Sequence, residues 1–528
     1  MSMRSRLFVV LAVLGSSLLF GGWLLGRGLR GTVVPVAGER LFEQVLAHVS
    51  RYYVDSIPAP ALFDKALDGM LEELGDPNTL YLQPERLKRL NETTTGNYTG
   101  LGVQTDVRDG WPTVLSTLPG GPAERAGLQA GDRIIEIGGK STRSLTGEET
   151  RGMLRGPVGT SVDITIERPG SHASIPVRLT RGEIHRRAVR RTAMLDGGVG
   201  YIDVKVFSDS TQVEVAQSID SLVKLGMRSL VLDLRGNLGG LLSQGIGVAD
   251  LFLDPGKVIV RIKGRAAEAN ATFEDEAPQR WPSLPIVVLV DDGSASASEI
   301  VAGALQDHDR ALLVGRTTFG KGSAQSLYPT SSGGALKLTV ARWFTPSGRS
   351  IDRRRDDDGG AGDGTKARVE RFESDAGREI VGGGGITPDV VVGDTVQSPQ
   401  ELALAGALGR RIPEFRDALT AYALSVKASA SAPASPGFEV TPAMRDGLWR
   451  VMQQRGLTFD RAIYDDAAPI ISLLIAREVT RYVFGAAVEA RRSIDDDDAI
   501  RAARSLIEGA KSQEEVLARG AQRHSLLK

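Results

Sequence analysis

The sequence predicts an α/β protein with a small β-rich domain set into it and a helical tail behind it. Three observations predict this. Short apolar, β-branched runs bounded by turn formers recur at residues 230–234, 286–290 and 311–314, as buried strands do. Between residues 98 and 170 the pattern changes to short alternating strands separated by glycine turns. From about residue 398 apolar side chains return at helical spacing.

Composition narrows the function. A chain of 528 residues is long enough for about three domains. The net charge of −1 and pI near 6.6 give no reason to expect nucleic acid or another polyanion as partner. With no cysteine there is no disulfide, thiolate metal site, cysteine nucleophile or lipid-attachment cysteine. No cofactor and no metal are expected.

Taken in order, residues 1–31 read as a membrane anchor or signal segment. Arg4 and Arg6 precede an apolar run over 7–25, long enough to span a bilayer. No clear A-x-A cleavage site follows it, which favours an uncleaved anchor. The leading arginines place the N-terminus in the cytoplasm, against the pull of Arg27 and Arg30. The expected location is the cell envelope, with an inner-membrane anchor and a periplasmic body. Residues 32–95 read as helices: Phe42, Val45, Leu46 and Val49 recur at helical spacing, as do Ala66, Met70, Leu71 and Leu74. The physical content is a helical hairpin with an aromatic core.

Residues 96–183 form the β-rich domain, with a strand at 133–137, a helix at 147–154 and alternating Val162, Ile164 and Ile166. Residues 184–396 carry the main body. An alternating strand at 199–207 opens it, and Val215, Ile219, Leu222 and Val223 mark an amphipathic helix closed by Gly226. The strand 230–234 runs into Arg235, Gly236, Asn237, Leu238, Gly239 and Gly240. A phosphate-binding loop is the rival reading there, but the lysine and serine of a Walker A motif are missing. Residues 353–366 are charge-dense and glycine-rich, which reads as a mobile loop. Residues 397–528 form a helical tail interrupted by a linker at 428–437. Such a tail suits packing or homo-oligomerisation.

The stretch 281–325 carries the chemistry. A strand ends at Asp291, a run of small residues holds Ser294, Ser296 and Ser298, and a helix begins near Glu299. Lys321 stands between two glycines 25 residues after Ser296. Ser296 with Glu299 also fits a capping box, which satisfies N–H groups at a helix start. A serine hydroxyl needs an adjacent base to attack, and a lysine serves as one only when desolvation keeps it neutral. A histidine base is less suited, because none of the five histidines stands in a catalytic motif. His308 reads as a surface residue at a helix end. Spacing alone does not choose among the three serines.

GSASASEIVAGALQD followed by GRTTFGKGSAQ resembles the active-site region of the carboxy-terminal processing peptidases, the S41 family of serine proteases. The resemblance implies Ser296 as nucleophile, Lys321 as general base and Gln325 as the residue that orients it. It further implies a crotonase-like protease core. The segment LRGNLGG resembles the family's LRxNxGG loop, with Leu238 where proline is common, and implies an oxyanion hole from Ala297 with Gly239 or Gly240. GGPAERAGLQAGDRIIEIGGKS and LRGPVGTSVDITIERPG look like a PDZ domain. That implies capture of extended peptides, with Gly100, Leu101 and Gly102 at the terminal carboxylate. Arg155 would couple that groove to the protease. The implied partners are polypeptides with accessible C-termini. Two rivals share the fold-level reading: a non-catalytic PDZ scaffold, and an acyl-CoA enzyme of the crotonase type.

Overall fold

A computed structural model describes residues 36–169, 171, 173–353, 370–393 and 398–526. The expected membrane segment at 1–31 lies outside the described residues, as does most of the expected mobile loop. Among the described residues, no helix is long and apolar enough to cross a membrane.

The chain forms two compact units. Of the described residues, one takes those from 36 to 83 together with 327–338, and the other takes the rest. In the first, the helices Val36–Tyr52 and Ala59–Glu72 precede a strand, Leu80–Leu82, that pairs antiparallel with residues 335–337. The expected aromatic core does not form among the described residues: Phe42, Tyr52, Tyr53 and Phe63 are all exposed. Two helices share one narrow face, which cannot enclose four rings.

The second unit is built on a six-stranded sheet in the order Val189–Leu195, Val199–Val204, Ser229–Asp233, Ile286–Val290, Leu312–Gly315 and Val390–Val391. The first pair is antiparallel and the remaining four are parallel. Helices Thr211–Lys224, Leu242–Asp250 and Ala297–Asp307 connect the parallel strands and pack Val215, Ile219, Val248, Ile300 and Val301 on one face. Every residue of Val199–Val204 is buried, not alternate ones as the sequence pattern suggested.

The tail is the reason. Helices Ala486–Asp495, Asp498–Ile507 and Gln513–Leu526 lay Ile494, Ile500, Leu506, Ile507 and Val516 over Tyr201, Val231, Val287, Leu289 and Leu312 on the other face. Packing in cis consumes this apolar surface. The rest of the tail forms a second core around Phe415, Leu448, Tyr464, Ile471 and Ile475.

The β-rich domain is an antiparallel sheet of Val103–Arg108, Trp111–Thr117, Arg133–Ile137, Ser161–Glu167 and Ser174–Thr180. Helix Gly147–Leu154 lies at its side, started by a capping box between Thr146 and Glu149. Val162, Ile164 and Ile166 are buried and alternate with outward residues, as expected.

Candidate active site

Strand Ile286–Val290 is buried throughout and delivers the chain to a tight turn. There Asp291 Oδ1 accepts hydrogen bonds from Gly236 N (2.8 Å), Gly293 N (3.0 Å) and Ser294 Oγ (3.2 Å). One carboxylate oxygen therefore ties the turn to the glycine loop of the neighbouring strand. The three serines of the turn then separate by environment. Ser294 is fully buried and its hydroxyl donates to Leu234 O (2.8 Å). Ser298 is fully buried and donates to Asn237 O (2.8 Å). Ser296 is partly exposed and sits at φ 56°, ψ −114°, a left-handed conformation that costs a non-glycine residue energy and persists where function holds it. The turn presents this one serine at the mouth of helix Ala297–Asp307.

Glu299 holds the turn in that shape. Its Oε2 accepts from Ser296 N (2.7 Å) and also from Lys321 N (3.0 Å). Its Oε1 accepts from Thr318 Oγ1 (2.6 Å) and Gly320 N (2.7 Å). The capping spacing visible in the sequence thus has a second use. The same fully buried carboxylate that starts the helix gathers the lysine loop onto the serine. Phe319 N adds a bond to Ser294 O (3.0 Å). Burial pushes the Glu299 carboxyl up, and its donors pull it down without cancelling the rise.

Gly239 lies directly against Ser296. A Cβ there would stand 2.7 Å from Ala295 O, 2.8 Å from Ser296 Cβ and 3.0 Å from Ala297 N, at a φ of +92°. Only glycine permits that approach. The Gly239 N–H is itself occupied by Asn237 Oδ1 (2.9 Å). Asn237, fully buried, also anchors the loop through Val204 O (2.9 Å) and receives Ala295 N (3.0 Å) on its carbonyl. Gly240 follows on the solvent side.

The structure brings Ser296, Ala297, Gly239 and the backbone of Lys321 together. Gln325 Nε2 donates to Ser323 Oγ (3.0 Å) and Thr339 Oγ1 (3.3 Å). No hydrogen bond joins a histidine to Ser296 among the described residues. His308 corrects its sequence reading: it caps the helix end, but its side chain is only 8% exposed and bonds Val258 O (2.7 Å) and Asp375 (2.9 Å).

Gly100, Leu101, Gly102 and Arg155 belong to a separate groove. It is a cavity of about 560 Å³ between the strand starting at Val103 and the helix ending at Leu154. Leu101 is buried in the core of the β-rich domain. Arg155 pairs with Glu92 (3.0 Å) and lies over the Tyr98 ring, 5.9 Å from its centroid. Sequence reasoning had not assigned Asn237, Asp291 or Glu299 a part in the site. Asn237 and Glu299 stood inside quoted motifs; Asp291 carried no signal beyond ending a strand.

The fold and site define a serine-type hydrolase body joined to a peptide-binding module. Residues 198–361 match the family model of Peptidase family S41, and residues 113–168 that of the PDZ domain. Carboxy-terminal processing protease CtpA of Bacillus subtilis is 37% identical over 316 residues, covering 60% of this chain and 66% of that protein. The carboxy-terminal-processing protease of Bartonella bacilliformis is 38% identical over 314 residues, covering 59% of this chain and 71% of that one. A solved photosystem II D1 C-terminal processing protease is 28% identical and covers 74% of this chain and 98% of its own. The TM-score to it is 0.36. The chain spans just under two thirds of the Bacillus subtilis relative's length. It belongs to the carboxy-terminal processing proteases of peptidase family S41.

Proposed function

We propose that this chain is a serine endopeptidase that holds polypeptide C-termini in its PDZ groove and cleaves through an acyl-enzyme on Ser296. Lys321 Nζ takes the hydroxyl proton as Ser296 Oγ attacks the scissile carbonyl, and returns it to the leaving amine. Water then hydrolyses the ester by the same proton route. The N–H groups of Ala297 and Gly240 stabilise the oxyanion, since that of Gly239 is already engaged. Gln325 orients the lysine. Arg155, at the end of the groove helix, links peptide capture to the protease body. The core is of the crotonase-like type. The apolar run at 7–25 anchors the body to the inner membrane, on its periplasmic side.

The observation that carries this reading is the single Glu299 oxygen shared by Ser296 N and Lys321 N. It fixes nucleophile and base loop to one atom. The test incubates purified protein, Ser296→Ala and Lys321→Ala with an unfolded protein such as casein. Fragments from the unaltered protein alone are expected. Fragments from Ser296→Ala would overturn the reading, as would turnover of a CoA thioester without any peptide cleavage.

A further inference from the structure

The helical tail reaches the glycine loop of the site through one side chain. Strand Ser229–Asp233 ends where the loop 235–240 begins, and Arg235 is its first residue. The guanidinium is gripped from two sides. Nε and Nη2 donate to Asp233 Oδ1 (3.0 Å) and Oδ2 (2.8 Å), while Nη1 donates to both oxygens of Asp497, each at 3.0 Å. Lys205 Nζ, paired with Asp203 (3.0 Å), donates to the Arg235 carbonyl. The next residue, Gly236, is the one tied to Asp291 in the nucleophile turn. Asp497 has a second task, since its Oδ1 caps helix Asp498–Ile507 by accepting from Ile500 N (3.0 Å).

The two parallel bonds to Asp233 fix the direction of the guanidinium plane, and the charge-assisted contact of Nη1 with Asp497 adds a second anchor. Asp233, whose Oδ2 also accepts from the Tyr201 hydroxyl (2.7 Å), ties the guanidinium to the sheet it leaves. Asp497 ties it to the tail, because the helix it caps is packed across the sheet through Ile500, Leu506 and Ile507. The S41 family match ends at residue 361, far short of this aspartate. Resting on the protease reading above, we propose that Asp497 is a positioning residue. It holds Arg235, and through it the oxyanion loop, in register with Ser296.

Both Asp497→Asn and Asp497→Ser keep an oxygen able to cap the helix and remove the charge. Each is expected to melt as the unaltered protein does and to lose kcat about tenfold, with KM changed by less than twofold. That loss is modest beside the 10²- to 10³-fold of a deleted oxyanion donor, because the donor is misplaced and not removed. Asp497→Glu is expected to recover part of kcat. Unchanged kcat in both uncharged variants overturns the proposal, as does a loss that follows KM or melting temperature. Should the unaltered protein itself fail to cleave casein, the protease reading falls first and this one with it. Cleavage by the unaltered protein and by Asp497→Asn at equal rates removes this inference alone.

Discussion

Glu299 takes four donors on two oxygens, from Ser296, Thr318, Gly320 and Lys321, so every acceptor position in a dry site is used by the serine turn and the lysine loop. Glu299→Gln would set an NH₂ group against two of those donors. A buried donor left without an acceptor costs about 1–3 kcal/mol, and here every such donor belongs to Ser296 or to the loop 318–321. Cleavage of casein is therefore expected to fall at least 10²-fold, with a lower melting temperature, measured by gel assay and thermal unfolding. Ser294 and Ser298 belong to the other class. Their buried hydroxyls each satisfy a carbonyl, so alanine at either position is expected to cost about 1–3 kcal/mol in denaturant unfolding. Covalent labelling of Ser296 by a fluorophosphonate should persist in both. Loss of labelling in Ser294→Ala, in protein that remains folded, would contradict the division among the three serines.

The loop 235–240 and the turn 291–296 follow two neighbouring parallel strands of the sheet, and their contact leaves no room between them. Gly239→Ala would put a methyl carbon 2.8 Å from Ser296 Cβ on a left-handed backbone. The loop must withdraw, and activity is expected to vanish while the far-UV circular dichroism stays native. Much at this scale was legible in the sequence. The strand 286–290, the strand 133–137 and the helix 147–154 stand where composition and period placed them, because each is bounded by its own turn chemistry. What stayed illegible depended on distant chain. Alternation over 199–204 implied one wet face, and only helices past residue 485 show that both faces are covered. Likewise no local pattern distinguished Ser296, whose exposure follows from carbonyls of Leu234 and Asn237 some sixty positions earlier. Removing residues 485–528 should uncover Val231, Val287 and Leu289, and the truncated protein is expected to aggregate or to bind a hydrophobic dye.

The stability of the whole molecule also carries a buried acid outside the site. Asp275 is 3% exposed, and Ala277 N donates to its Oδ1 (2.9 Å), while Oδ2 is buried with no hydrogen-bond partner among the described residues. Burial first, and then the neighbouring Asp250 and Asp254, push its carboxyl up to about 6. The folded protein therefore holds this proton more tightly than the unfolded chain, where the usual value is 3.8. Where the native state binds more protons, unfolding free energy falls as pH rises. The loss should begin near pH 4, be largely complete a little above pH 6, and persist at higher pH. Asp275→Asn keeps the acceptor for Ala277 and supplies, at every pH, the N–H that a protonated carboxyl would offer Asp250. Its melting temperature is expected to exceed that of the unaltered protein at pH 8, and the gap should close as the pH is lowered to 4. Taking the difference between the two proteins cancels the many carboxylates they share. A gap that widened towards low pH would mean that Asp275 is held ionised, and that its burial is offset by a partner on the folded surface.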